Sequence, residues 1–149
     1  MSRTEEPDLL LLADDDSDDR LLVKDALEEC QWGGELRCVE DGQDLLDYLL
    51  HRGTYKEAAP PRPKLILLDL NMPRKDGRQA LREIRANPAL RRIPVVILTT
   101  SRADNDIRTL YDLGANSFIS KPVQFADLVN VIRLLGQYWF TVVELPAIK

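Results

Sequence analysis

Histidine occurs once in this chain and cysteine twice, and no apolar run approaches the roughly 20 residues that a bilayer-spanning helix needs. Each scarcity removes a class of function. A lone His51 argues against a histidine-based metal centre or a Ser-His-Asp type of triad, and at a predicted helix end it reads as an ordinary surface residue. Cys30 and Cys38, without a visible secretory signal, read as reduced thiols rather than a disulfide framework. Positive charge is in deficit: 20 Lys and Arg against 25 Asp and Glu leave a net charge of −5, which argues against broad electrostatic binding to nucleic acid. The expectation is a cytoplasmic protein that engages neither nucleic acid nor membrane.

What remains is ample for one domain. The 149 residues are 44% hydrophobic and 30% charged, the balance of a folded chain with a sizeable core. Residues 1–7 are polar and read as a flexible tail; 8–136 form the domain, and 137–149 extend its last helix into a tail. Leu9 to Ala13 is a continuous apolar run, as a strand buried on both faces requires. The acids Asp16 to Asp19 then suit a helix start, with Leu22, Val23, Ala26, Leu27 and Cys30 as the inner face and Gly33-Gly34 as the stop. Leu36 to Val39 is a second strand. A helix from Asp41-Gly42 turns Leu45, Leu46, Leu49 and Leu50 inward, and the prolines at 60, 61 and 63 make a loop.

Strands follow at Leu65 to Leu68, Pro94 to Leu98 and Ser117 to Ile119. Helices follow at Ala80 to Ile84 (closed by Asn87-Pro88), between Ala103 and Leu113 (capped by Gly114), and from Phe125 onward. Five strand–helix units without internal repeats call for one doubly wound parallel α/β sheet with helices on both faces.

The strand ends carry the chemistry. Asp69 closes an apolar strand and opens the stretch Asp69-Leu70-Asn71-Met72-Pro73-Arg74-Lys75-Asp76-Gly77. Asp14-Asp15-Asp16, Thr99-Thr100-Ser101 and Lys121-Pro122 follow three other strands, and in such a sheet those ends face one crevice. Asp14, Asp15 and Asp69 together would repel one another unless a cation sat among them, and Mg2+ suits a few carboxylates plus water. With the Lys121 ammonium and the Thr99 hydroxyl, the set describes a pocket for a phosphoryl group, Asp69 being the nucleophile that forms an acyl phosphate. Read alone, the acidic run could be a solvated helix start, and Asp18 and Asp19 read as solvated. It is a poor calcium loop: Asp19 stands where the turn glycine belongs, and the twelfth place holds no glutamate.

With these residues in this order, the chain resembles the receiver domain of two-component response regulators over nearly its whole length. It carries the D-x-x-M-P-x-x-D-G signature in full, with the acidic pair Asp14 and Asp15, the hydroxyl Thr99, the lysine Lys121, and the aromatic Phe118 three places before it. The resemblance implies a flavodoxin-like strand order 2-1-3-4-5 and a cis Lys121–Pro122 bond. It also implies phosphoryl transfer from a sensor histidine kinase onto Asp69, which is therefore the modified residue. Mg2+ would be held by Asp15, Asp69 and the backbone carbonyl of Asn71, with Asp14 acting through water. Thr99 and Lys121 would grip the phosphoryl oxygens, and Thr99 moving inward would let Phe118 turn in as the switch. The resemblance makes the chain no conventional enzyme, only a catalyst of its own phosphorylation and slow dephosphorylation. Asn71 could orient an attacking water while Thr100 restricts it, and these hints oppose each other. The expectation is that no output module is attached and that the output is protein contact.

The last segment adds a surface. Leu128, Ile132, Leu135, Trp139 and Val142 can face the sheet, leaving Val131, Leu134, Tyr138 and Leu145 as a second stripe that needs a cover. This tail and the proline loop are similar to small single-domain regulators that work with phytochrome-type kinases and dimerise through the last strand and helix. A homodimer through that stripe is the expectation. Two rival functions stand beside this reading: a receiver-fold binding scaffold without phosphoryl chemistry, and a haloacid-dehalogenase-type phosphatase. The phosphatase needs a general acid two residues after the nucleophile, where Asn71 stands.

Overall fold

The computed structural model describes residues 8–100 and 104–146, with the backbone alone for 104–106. The tail expected at 1–7, Ser101 and the helix start expected at Ala103 lie outside the described residues. Along the chain run β1 (Leu9–Ala13), α1 (Ser17–Glu29), β2 (Glu35–Val39), α2 (Gly42–Leu50), a 3-10 turn (Gly53–Tyr55), β3 (Leu65–Leu68), α3 (Gly77–Ala86), β4 (Val95–Thr99), α4 (Asp104–Leu113), β5 (Ser117–Ser120) and α5 (Phe125–Gln137). The five strands form one parallel sheet in the order β2-β1-β3-β4-β5. Every residue of β1, β3 and β4 is buried, because these strands are covered on both faces; the edges β2 and β5 are only partly covered.

Alternation along the central strands divides the core in two. Leu11, Ala13, Ile66, Leu68, Val95 and Ile97 point toward α2, α3 and α4, while Leu10, Leu12, Leu65, Leu67, Val96 and Leu98 point toward α1 and α5. Register then sets the level of the strand ends. Leu10 lies opposite Leu65 and Ala13 opposite Leu68, so Asp14 and Asp69 leave the sheet at the same height.

Helix starts are set by acids. The Asp16 carboxylate accepts the N–H groups of Asp18 and Asp19 at the head of α1, and Asp41 and Asp76 accept from Asp44 and Gln79 at α2 and α3. Two helix ends differ from the sequence expectation. α1 closes through Gln31 in the left-handed region at φ 57°, with Trp32 N–H donating to the Leu27 carbonyl, before Gly33-Gly34 is reached. His51, read as an ordinary surface residue, is the left-handed cap of α2 at φ 55°; it is half-buried, with Nε2 2.7 Å from the Pro60 carbonyl. The Tyr48 hydroxyl donates to the Pro61 carbonyl at 3.0 Å, so both side chains tie the proline loop to α2. Gly114 takes the left-handed cap position that α4 was expected to need, at φ 107°. Cys30 and Cys38 are free thiols. Among the described residues no helix is long and apolar enough to cross a membrane.

The far end of α5 departs from the inward set expected from sequence. Tyr138–Val142 continue as a π-helical turn, wider than an α turn, and the wider turn shifts the inward positions. Trp139 and Phe140 both pack on the α1–α5 side of the core, Phe140 with its ring centroid 5.3 Å from that of Trp32. Val142, expected to face the sheet, is 68% exposed. Leu145 also leaves the expected stripe: it lies beyond the helix in a cavity of about 320 Å³ beside Pro63, Arg92 and Pro94, at the N-terminal ends of β3 and β4. In urea unfolding, Phe140→Ala should therefore lose about 2 kcal/mol, a fraction of the full-burial cost because the ring is only half-buried, and Val142→Ala should stay within about 0.5 kcal/mol. A larger loss at Val142 than at Phe140 would contradict the π-turn register.

Candidate functional site

The crevice above β1 and β3, where the chain reverses its direction of strand addition, is where a doubly wound sheet exposes backbone ends to a ligand. Asp14 and Asp69 stand there one residue past their strands, their N–H groups still bonded to the carbonyls of Val39 and Ala13 at 3.1 and 3.0 Å. Thr99 closes β4 fully buried, and its carbonyl accepts the Lys121 N–H at 2.8 Å. The sheet ladder thus carries all four residues to one place.

The side chains of Asp14, Asp69 and Lys121 meet. Lys121 Nζ donates to Asp14 Oδ2 at 2.7 Å and lies 3.5 Å from Asp69 Oδ2. It also donates to Asp19 Oδ2 at 3.0 Å, so Asp19 is part of the site and not simply solvated. Asp14 Oδ1 and Asp69 Oδ1 accept the N–H groups of Asp16 and Leu70 at 3.0 and 2.8 Å. Arg20 donates to the Asp14 carbonyl at 2.7 Å.

Asp14, Asp15 and Asp69 each offer an oxygen within 4.8 Å of the others; Asp14 and Asp69 are buried and Asp15 is exposed. Burial pushes the Asp14 carboxyl above its ordinary value even against its bonds to Lys121 and the Asp16 N–H, and the Asp69 charge adds to the rise. For Lys121, burial acts to lower the pKa, but its hydrogen bonds to Asp14 and Asp19 outweigh it and hold the ammonium firmly protonated.

The loop after β3 is built around the buried carboxylate. Leu70 and Met72 are buried and Asn71 between them is exposed. Gly77 donates to the Leu70 carbonyl at 2.9 Å, and a Cβ there would sit 2.4 Å from the Asp69 carbonyl oxygen, which accounts for the glycine that ends the signature. The Lys121–Pro122 bond, expected cis, is trans. Trans is the lower-energy isomer by roughly 0.5–1 kcal/mol, and here the Thr99 carbonyl and two carboxylates aim Lys121 without the bend. Phe118 is half-buried against the α2–α3–α4 side of the core, and its N–H donates to the Tyr111 hydroxyl at 3.2 Å.

Of the expected surface stripe, Val131 is half-buried, and Leu134 and Tyr138 are 54% and 52% exposed on one side of α5. Asp19, Arg20 and the Asp41–Arg74 pair described below had no functional assignment from sequence. Asp19 falls one helical turn after Asp15, a spacing that could have flagged it; Arg74, the forked partner of Asp41, lies 33 residues away and leaves no local signal.

These features define a flavodoxin-like α/β module with an acidic crevice at the β1/β3 switch point. The family model for the response regulator receiver domain matches residues 10–133, and the chain belongs to that family. It is similar to response regulator Rcp1 of Synechocystis sp., 40% identical over 141 residues and 95% of each chain. The structure of the phosphorylated cyanobacterial phytochrome response regulator RcpA superposes with a TM-score of 0.88 at 38% identity, covering 95% of this chain and 100% of that one. The Mn2+-bound form of Rcp1 gives 0.86 at 40%, with the same coverage. The chain is therefore a two-component response regulator receiver, homologous over its length to these proteins.

Proposed function

We propose that Asp69 accepts a phosphoryl group from the phosphohistidine of a sensor kinase of the phytochrome-associated type, in the cytoplasm, and that the phosphorylated chain signals by contact with other proteins. The observation that carries this is the Lys121 ammonium, 2.7 Å from Asp14 and 3.5 Å from Asp69, in a crevice where three carboxylates converge. The donor set fits a hard divalent cation: it is all oxygen, and one lysine leaves the clustered negative charge only partly compensated. Asp15, Asp69 and the backbone carbonyl of Asn71 would hold Mg2+, with Asp14 bound through water. Bound there, the ion would neutralise charge on the phosphoryl oxygens.

Asp69 supplies the attacking oxygen. Its P–O bond forms as the P–N bond to the donor imidazole breaks, and the electron pair leaves with the imidazole nitrogen. Lys121, held between carboxylates, turns toward the new phosphoryl oxygens, and the Thr99 hydroxyl donates to another. Up to about two added negative charges make that pull strong enough to choose between two packings, with Phe118 moving into space that Thr99 leaves. The similar RcpA is a phytochrome response regulator and the similar Rcp1 has a Mn2+-bound form, which supports the kinase class and the cation site by similarity. In this reading the chain is no conventional enzyme; it acts on its own Asp69 and loses the phosphoryl group slowly to water.

A small phosphoryl donor with Mg2+ should add one phosphate by intact mass to the wild-type chain and none to Asp69→Asn. No gain in the wild type would favour the scaffold reading, and turnover of a generic phosphate ester would favour the phosphatase. A second copy of this chain is the proposed cover for Val131, Leu134 and Tyr138, which recur at helical spacing on α5; Leu145, proposed from sequence as a fourth contact, lies away from that face. Sedimentation should show a dimer that Val131→Asp with Tyr138→Ala turns into a monomer; an unchanged species would refute this contact.

A further inference from the structure

Between Asp69 and α3 the loop is fastened not only beneath Asp69 but also to the start of α2. Arg74 donates to both oxygens of Asp41, Nε to Oδ2 at 2.8 Å and a terminal nitrogen to Oδ1 at 3.1 Å, in a forked pair. Asp41 is buried at the N-cap of α2, and although burial alone would raise its carboxyl, the Arg74 bonds and the Asp44 N–H hold it below its ordinary value. Next to it, Gly42 N–H donates to the Lys75 carbonyl at 2.8 Å, where a Cβ would come within 2.3 Å of that oxygen. Arg74 reaches Asp41 from a left-handed backbone at φ 64°, a conformation that costs a non-glycine residue of order 1–3 kcal/mol and persists only where its surroundings impose it.

We propose that Arg74 is a positioning residue: through Asp41 it fixes the loop that carries Asn71, and so sets how well the acidic crevice binds a divalent cation. The inference rests on the cation reading above and assigns to this chain a control residue outside the ligand set. Asn71 is exposed, and its span is held by the anchors at Leu70–Gly77 and at Arg74–Asp41 and Lys75–Gly42. Arg74 itself has a solvent-exposed side chain, so its removal opens no cavity in the core. A lysine there is no equivalent, because one ammonium cannot match both carboxylate oxygens in the forked geometry.

The test is Mn2+ affinity, read from the relaxation of water protons, in the full chain and in Arg74→Ala, Arg74→Gly and Asp41→Asn, each checked for folding by circular dichroism. Arg74→Ala and Asp41→Asn should weaken Mn2+ by roughly tenfold or more, the range for partners that orient metal ligands. The double variant should be no weaker than Arg74→Ala alone, since both changes remove one interaction. Glycine accepts the left-handed backbone, so Arg74→Gly separates pair from conformation: the proposal expects it to bind as weakly as Arg74→Ala. Wild-type affinity, within twofold, in folded Arg74→Ala or Arg74→Gly would overturn the inference while leaving the site intact. A wild-type chain that binds no Mn2+ would overturn the site and the inference together.

Discussion

Repulsion among carboxylates that the sheet forces together is the constraint from which the rest of this structure follows. Asp14 is fully buried, Asp69 nearly so, and Asp15 joins them within 4.8 Å. Among the described residues, Lys121 bridges Asp14, Asp19 and Asp69, and Arg20 adds a positive charge at the Asp14 backbone. One ammonium shared among three acids leaves negative charge in a partly desolvated hollow, and burial accordingly raises the Asp14 carboxyl. A site in this condition gains from any ligand that brings positive charge to oxygen, and it holds a lysine ready to turn toward new anionic oxygens.

The fold serves that site by register. Because β1, β3 and β4 are covered on both faces, a one-residue slip would exchange the sides of every core residue and also lift Asp14, Asp69 and Thr99 to different heights. The same ladder that buries the leucines therefore aligns the acids. Gly77 under the Asp69 carbonyl and Gly42 against the Lys75 carbonyl are places where backbone lies too close to backbone for a side chain. Both bound the loop that follows Asp69. Stability and site geometry share these contacts.

Sequence reading reached furthest where one physical cause acts locally. Continuous apolar runs identified β1 and β3 to within a residue, acids marked the starts of α1 and α2, and four polar strand ends pointed to one crevice. It fell short where the cause was a distant partner. Gln31 rather than the glycine pair ends α1, and the π turn at Tyr138–Val142 brings Phe140 against Trp32, a residue more than a hundred positions earlier. That turn also exposes Val142, and the chain beyond it carries Leu145 to the other end of the sheet. Asp19 on Lys121 and Arg74 on Asp41 are likewise pairings made by the tertiary fold, and only Asp19, one helical turn after Asp15, left a local hint.

The crevice holds like charges together, and a divalent cation bound among them would relieve their repulsion. Thermal unfolding with rising Mg2+, against NaCl at matched ionic strength, tests it most directly. A cation bound only by the folded chain adds about 1.4 kcal/mol of stability at tenfold above its dissociation constant, or roughly 3–6 °C for a chain of this size. The wild type should show that rise, saturating with Mg2+, and Asp15→Asn should lose it. A midpoint that Mg2+ moves no further than NaCl does would contradict it.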